Sequence, residues 1–154
     1  MAQAKAIVEW RSRVPWVDKL RPDLQPKVVA APSGRGTMLV PTPLLLAEEL
    51  RRVKAGRLVT PAELRDRLAR RCGADRTCPL TTGILLHIVA GAAEEQLAAG
   101  KRPVGPYWRV VDEKGYLNPR WALGPERQAA HLRREGHQVK RLSSGRWQVV
   151  SWAV

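Results

Sequence analysis

"VTPAELRDRLARRCGADRTCPLTTGILLHIVAGAAEEQLAA", residues 59 to 99, holds two helix starts and one clear stop, and the fold follows from how they are joined. Thr60 is a good N-cap, because its hydroxyl can accept from a backbone N–H that the first turn leaves unpaired. Pro61 suits the first helical position, and Glu63, three residues after the cap, completes a capping-box pattern. Leu64 and Leu68 make the apolar stripe, and Gly73 supplies the stop. A second helix is expected from about Pro79 to Ala98. Its apolar, small-residue middle suits a helix packed on several sides. Two helices joined by a short glycine-containing turn fit a helix-turn-helix, and equally any small helical domain.

Upstream, Pro43 opens a helix through "LLLAEELRRVKAG" to Gly56, with Leu45, Leu46, Leu50 and Val53 on one face. "TMLVPTP" before it reads as a brief extended element. Residues 1–36 are expected as an irregular N-terminal arm, rich in proline before a Ser-Gly-Arg-Gly break, with Trp10 and Trp16 docking part of it. Downstream, "YWRVVDEKGYLN" reads as a strand, a turn at Glu113 to Gly115, and a short return. "GPERQAAHLRREGH" is a helix from Pro125 to Gly136, and "HQVKRLSSGRWQVV" a hairpin around Ser-Ser-Gly. The whole is mainly α with a small β-sheet, a winged-helix-like domain over residues 37–154.

The 154 residues suffice for one core, and a 44% apolar fraction argues against wholesale disorder. The formal net charge of +13, from 27 Lys and Arg against 14 Asp and Glu, favours a polyanion, nucleic acid first among them. The excess is greatest in residues 101–154, with eleven basic and four acidic groups. Cys72 and Cys78 complete no zinc set, and they read as reduced thiols in a cytoplasmic protein. No signal-peptide pattern opens the sequence, and the longest apolar stretch, Gly83 to Ala93, is far below membrane-spanning length.

The stretch "GPYWRVVDEKG", residues 105–115, sets two of the eight aromatics side by side. With the helices before it and the Glu135-Gly136 helix end after it, the order resembles the DNA-binding domain of the O6-alkylguanine-DNA alkyltransferases. The resemblance runs over roughly residues 38–138 and is nearest to the alkyltransferase-like relatives that lack the acceptor cysteine. In that family the loop reads Pro-Cys-His-Arg-Val; here Pro106, Arg109 and Val110 match. Tyr107 stands where the cysteine would be, and Trp108 where the family has the histidine that activates it, a residue the alkyltransferase-like relatives typically keep. Alkyl transfer needs a thiolate beside a base, which a phenol and an indole do not provide. The resemblance therefore implies a non-enzymatic binder of duplex DNA, directed at alkylated or otherwise modified bases in DNA repair. It implies no cofactor and no membrane, and a monomer that works beside other repair proteins. The family's recognition helix carries an arginine that fills the gap left by a flipped base. "CPLTTGIL" has none, and Arg76 just before it is the substitute the sequence offers.

The resemblance places Tyr107, Trp108, Pro106 and Arg109 around a base pocket, although both aromatics also suit strand packing and Arg109 suits a structural tie. Arg65, Arg70, Arg71 and Arg76 are expected to meet phosphates, with a solvated helix face as the alternative. Thr81 and Thr82 sit where a helix start meets a phosphate, or where a cap is needed. Asn118 and Arg120 suit either a groove contact or the capping of the next helix. Cys78, at a helix start, has no base nearby, and His87 reads as a core histidine. Lys140, Arg141 and Arg146 flank the terminal hairpin. Three rivals remain: a winged-helix transcriptional or architectural protein that never flips a base, a protein-interaction module with Trp10, Trp16 and Trp121 on its surface, and an enzyme using Cys78.

Overall fold

The computed structural model describes residues 14–150; Trp10 lies outside them. This part is mainly α with two small sheets. Helix α1 spans Pro43–Arg51 and is capped by Thr42, whose hydroxyl accepts from Leu45 N at 3.2 Å. It buries Leu46, Ala47 and Leu50. Helix α2 spans Pro61–Cys72, with the Thr60 hydroxyl accepting from Glu63 N at 3.1 Å and Gly73 leaving the helix at φ 68°. Only glycine adopts that angle without strain. Leu64 and Leu68 are wholly buried, each contributing about 1.5–3 kcal/mol of apolar burial.

Helix α3, Pro79–Ala98, is the centre of the molecule. From Leu85 to Glu94 it is packed almost all round, whereas Pro79, Leu80, Gly83 and Ile84 near its start face solvent. Its angle to α2 is fixed by a short strand in the turn. Strand β1 (Lys27–Ala30) pairs antiparallel with β2 (Thr37–Val40), and β2 pairs in parallel with β3 (Arg76–Thr77). Cys78 N donates to Leu39 O at 2.9 Å, and the Thr77 hydroxyl donates to Arg65 O at 2.8 Å. The helix-turn-helix is thereby stitched to the sheet on one side and to α2 on the other.

Helix α4 (Gly124–Arg134) leads into the antiparallel hairpin β4 (Gln138–Arg141) and β5 (Trp147–Val150). The turn at Asp112–Gly115 closes by Gly115 N donating to Asp112 O, and it is tied to β5 through Val149 N to Gly115 O and Leu117 N to Trp147 O. The strand expected over "YWRVV" is not formed. Tyr107–Arg109 make one 3-10 turn, and Val110 only bridges Val59. The β-branched and aromatic composition is overridden by the prolines around the loop and by side-chain anchors described below.

Part of the segment before β2 is regular. Trp16–Leu20 form a 3-10 turn laid on α3, with Val17 N donating to Glu95 Oε1 at 2.8 Å. The Trp16 indole covers Gly91 so closely that a Cβ there would lie 2.4 Å from the ring's Cγ. Gly91→Ala is therefore expected to lift this turn off α3 and cost about 1–3 kcal/mol, as overpacking does. Thermal unfolding and protease cleavage within residues 14–26 check it; an unchanged cleavage pattern would mean the turn is held elsewhere.

Candidate nucleic-acid interface

The loop that carries Tyr107 is held from four directions. Gly105 lies so near α1 that a Cβ would sit 3.1 Å from Ala47 O. Val59 N donates to Arg109 O and Val111 N to Val59 O, at 2.9 and 3.0 Å. Gln128 of α4 donates its amide to both Trp108 O and Val110 O, at 3.1 and 2.8 Å. Arg109 donates from Nε and Nη2 to the Glu135 carboxylate, at 2.9 and 2.5 Å, and from Nη1 to Val53 O.

Tyr107 is completely buried. Its hydroxyl donates to Glu94 Oε2 at 2.6 Å, and His131 Nε2 lies 2.8 Å from the same oxygen. Arg127 Nε stands 3.7 Å from the other oxygen. Burial, and then the Glu94 charge, push the phenol well above its ordinary pKa, so it stays a protonated donor. Trp108 is stacked on His131 at 4.2 Å, and its indole N–H donates to Glu135 Oε2 at 3.1 Å. Tyr107 and Trp108 are thus both committed to carboxylates. Pro106 is buried as well. Among the described residues, this loop presents no thiol or hydroxyl to solvent.

Among the described residues, two cavities lie next door, one of about 590 Å³ lined by Glu94, Arg127 and His131 among others, the second along α3. The second, of about 500 Å³, runs along the outer half of α3, with Gly83, Ile84 and His87 on one wall and Asn118, Arg120 and Trp121 on the other. Trp16 and Lys19 close one end. Tyr107 supports this wall from behind, its ring edge-on to Trp121 at 5.9 Å. His87 meets Trp16 edge-on at 5.1 Å, and burial together with Lys19 lowers its pKa, which keeps the ring neutral at neutral pH. The size is that of a small-molecule pocket. His87 read as core and Trp121 as partner surface. Their convergence comes from positions 34 residues apart that no local pattern links.

The expected phosphate contacts fall into two groups. Arg70, Arg76 and Arg120 are exposed and Arg65 is half-buried. Arg71 is tied to Glu48 at 2.5 Å and lies 3.6 Å from Glu49, joining α2 to α1, and its hydrogen bond, then its charge, hold the Glu48 carboxyl below the usual range. Arg76 points along the β1–β2 hairpin, donating to Ser33 Oγ and Arg35 O. Thr82 is buried and donates to Cys78 O, an inward bond. Thr81 is half-buried and donates to Cys78 Sγ at 3.2 Å, which lowers that thiol's pKa. Asn118 Oδ1 accepts from Arg120 N at 2.8 Å, shaping the turn at the cavity rim.

No protein-family model and no curated protein matches the chain. Among solved structures it is similar to the crystal structure of S. pombe Atl1 in complex with damaged DNA containing O6-carboxymethylguanine. The two are 19% identical, the match covers 69% of this chain and 85% of that one, and the TM-score is 0.47. Among the described residues, no helix is long and apolar enough to cross a membrane.

Proposed function

We propose that the protein is a non-enzymatic, duplex-DNA-binding protein that tests bases for alkylation or similar modification. The outer half of α3 meets the groove, and the cavity beside it takes the extruded base. The observation that carries this reading is the cavity's place, between the solvent-facing start of α3 and the Asn118–Arg120 turn. Its surroundings are basic, with Lys19 and Arg120 on its rim and Arg65, Arg70 and Arg76 on neighbouring elements. Trp16 and Trp121 give the cavity part of an apolar aromatic lining, as a site for a flat base needs. The loop at Tyr107–Arg109 then serves as the support of this pocket.

Fluorescence-anisotropy titrations of matched duplexes with and without O6-methylguanine test it, with wild type and Gly83→Leu. Gly83 has open space where a side chain would grow. Leucine also favours the helix, so this variant fills the cavity mouth without harming the fold. Phosphate contacts from Arg65, Arg70, Arg76 and Arg120 give a log–log salt slope of about −3.6, hence on the order of a 100-fold loss of affinity between about 50 and 200 mM salt. Both proteins should show that slope, and only wild type should prefer the modified duplex. Salt-dependent binding without preference would leave an architectural binder that never flips a base. Absence of binding at low salt would remove DNA as the ligand.

A further inference from the structure

The larger cavity, of about 590 Å³, borders the C-terminal end of α3 and shares no residue with the one along its outer half. Their α3 linings, Gly83 to Ile88 and Glu94 to Ala98, are centred about ten residues, or roughly 15 Å, apart along the axis. The Trp16–Leu20 turn divides them, Trp16 lining the one and Val17 the other. Val17, Leu97 and Leu123 give the larger cavity its apolar walls. Its polar groups come from Glu94 on α3 and from Arg127, His131 and Arg134 on one face of α4. We propose that this cavity binds a free nucleotide, with the base edge on Glu94 and Arg127 and the phosphate on Arg134. The site is separate from the DNA reading above and does not depend on it.

Glu94 decides the chemistry at one end. Its side chain is 3% exposed, and Oε2 is taken by the Tyr107 hydroxyl and His131 Nε2. Oε1 accepts no hydrogen bond among the described residues, and Arg127 Nε stands 3.7 Å from it. A buried carboxylate oxygen without a donor is costly, and the guanidinium beside it has donors to spare. A ligand edge that sets an N–H donor next to an acceptor satisfies both at once, and every nucleobase presents such an edge. Arg134 stands seven residues further along α4, about 10 Å by the helix rise, exposed and without an ion pair among the described residues. A guanidinium there suits phosphate, and the separation is that between base edge and phosphate in a mononucleotide. Other ligand classes fit less well. A metal ion would meet Arg127 and Arg134, and a bare inorganic anion would leave the Glu94 end empty. A wholly apolar ligand would leave Glu94 Oε1 and Arg127 dry and unpaired. The volume is that of a site enclosing a small molecule.

Isothermal titration calorimetry on the full chain tests the site, with the four ribonucleoside 5′-monophosphates, guanosine and ribose 5-phosphate as probes. Wild type should bind the monophosphates saturably, the purines tightest because they bury more apolar surface. Arg134→Ala should weaken them by on the order of tenfold, as loss of a charge-assisted contact does, and leave guanosine unchanged. Ala98 is exposed on the cavity wall, so Ala98→Trp fills the space without entering the core. This variant should unfold at the wild-type temperature, lose nucleotide and nucleoside alike, and bind the O6-methylguanine duplex as wild type does. Ribose 5-phosphate binding as tightly as the nucleotides would overturn the base-edge contact. Nucleotide binding that survives in Ala98→Trp would place the ligand elsewhere and overturn the site. No saturable binding of any of the four would overturn it outright and leave the DNA reading standing, whereas nucleotide binding without duplex binding would do the reverse.

Discussion

Glu94→Ala is expected to lower the unfolding free energy by about 3–5 kcal/mol, the range for removing one member of a buried charged network. That is a large share of the roughly 5–15 kcal/mol available to a domain of this size. The Glu94 side chain is only 3% exposed and collects Tyr107, His131 and Arg127. Alanine would leave the phenol and the imidazole buried without this acceptor, and each orphaned group costs about 1–3 kcal/mol. Glu94→Gln keeps the volume and one acceptor oxygen, so its loss should be smaller, about 1–2 kcal/mol. Urea denaturation measures both. An alanine variant within about 1 kcal/mol of wild type would mean that the carboxylate is not what holds the loop. Because Tyr107 backs Trp121, the same variant should also blur the cavity wall.

This carboxylate could not be read from the sequence. "AAEEQLAA" looks like a solvated pair on a helix, and only tertiary packing separates buried Glu94 from half-exposed Glu95. Its partners stand 13 and 37 residues away. Features that depend on neighbours in sequence were legible: the Thr60 cap, Pro61, Glu63 and Gly73 bound α2 because each acts within one helical turn. Helix α3 begins at Pro79 and ends at Ala98 for the same kind of reason. Strand β1 was not legible, because all four of its residues are exposed and no alternation marks it. The loop at 107–109 misled in the other direction. Its composition is that of a strand, but its conformation is set by Gln128, Glu94 and Glu135, all distant in the chain. The cavity likewise needs Trp16, His87 and Trp121 brought together from three segments.

The tie between Arg109 and Glu135 carries the second large expectation. Both side chains are 13% exposed, and the guanidinium spans the carboxylate and Val53 O, linking the loop, the end of α4 and the turn after α1. Arg109→Ala and Glu135→Ala should each cost about 2–4 kcal/mol, because each leaves a partly buried charge behind. The double variant should cost little more than either single, a coupling of about 2–3 kcal/mol in a double-mutant cycle. Arg109→Lys should not rescue the pair, since an ammonium cannot span both carboxylate oxygens and the backbone carbonyl at once. The pH dependence has a definite sign. Burial raises the Glu135 carboxyl, but the hydrogen bonds from Arg109 and Trp108 outweigh it, so its folded pKa lies below the ordinary 4.5. Its stabilisation is therefore present at and above pH 4.5 and drains away as pH falls through the depressed value. Wild type should lose stability in that acid window, and Arg109→Ala should lose less of it there, having lost the interaction already. Additive single costs with parallel acid profiles would show that the two residues act apart, and that the loop behind the cavity is held by its other ties, to Glu94, Gln128 and Val59.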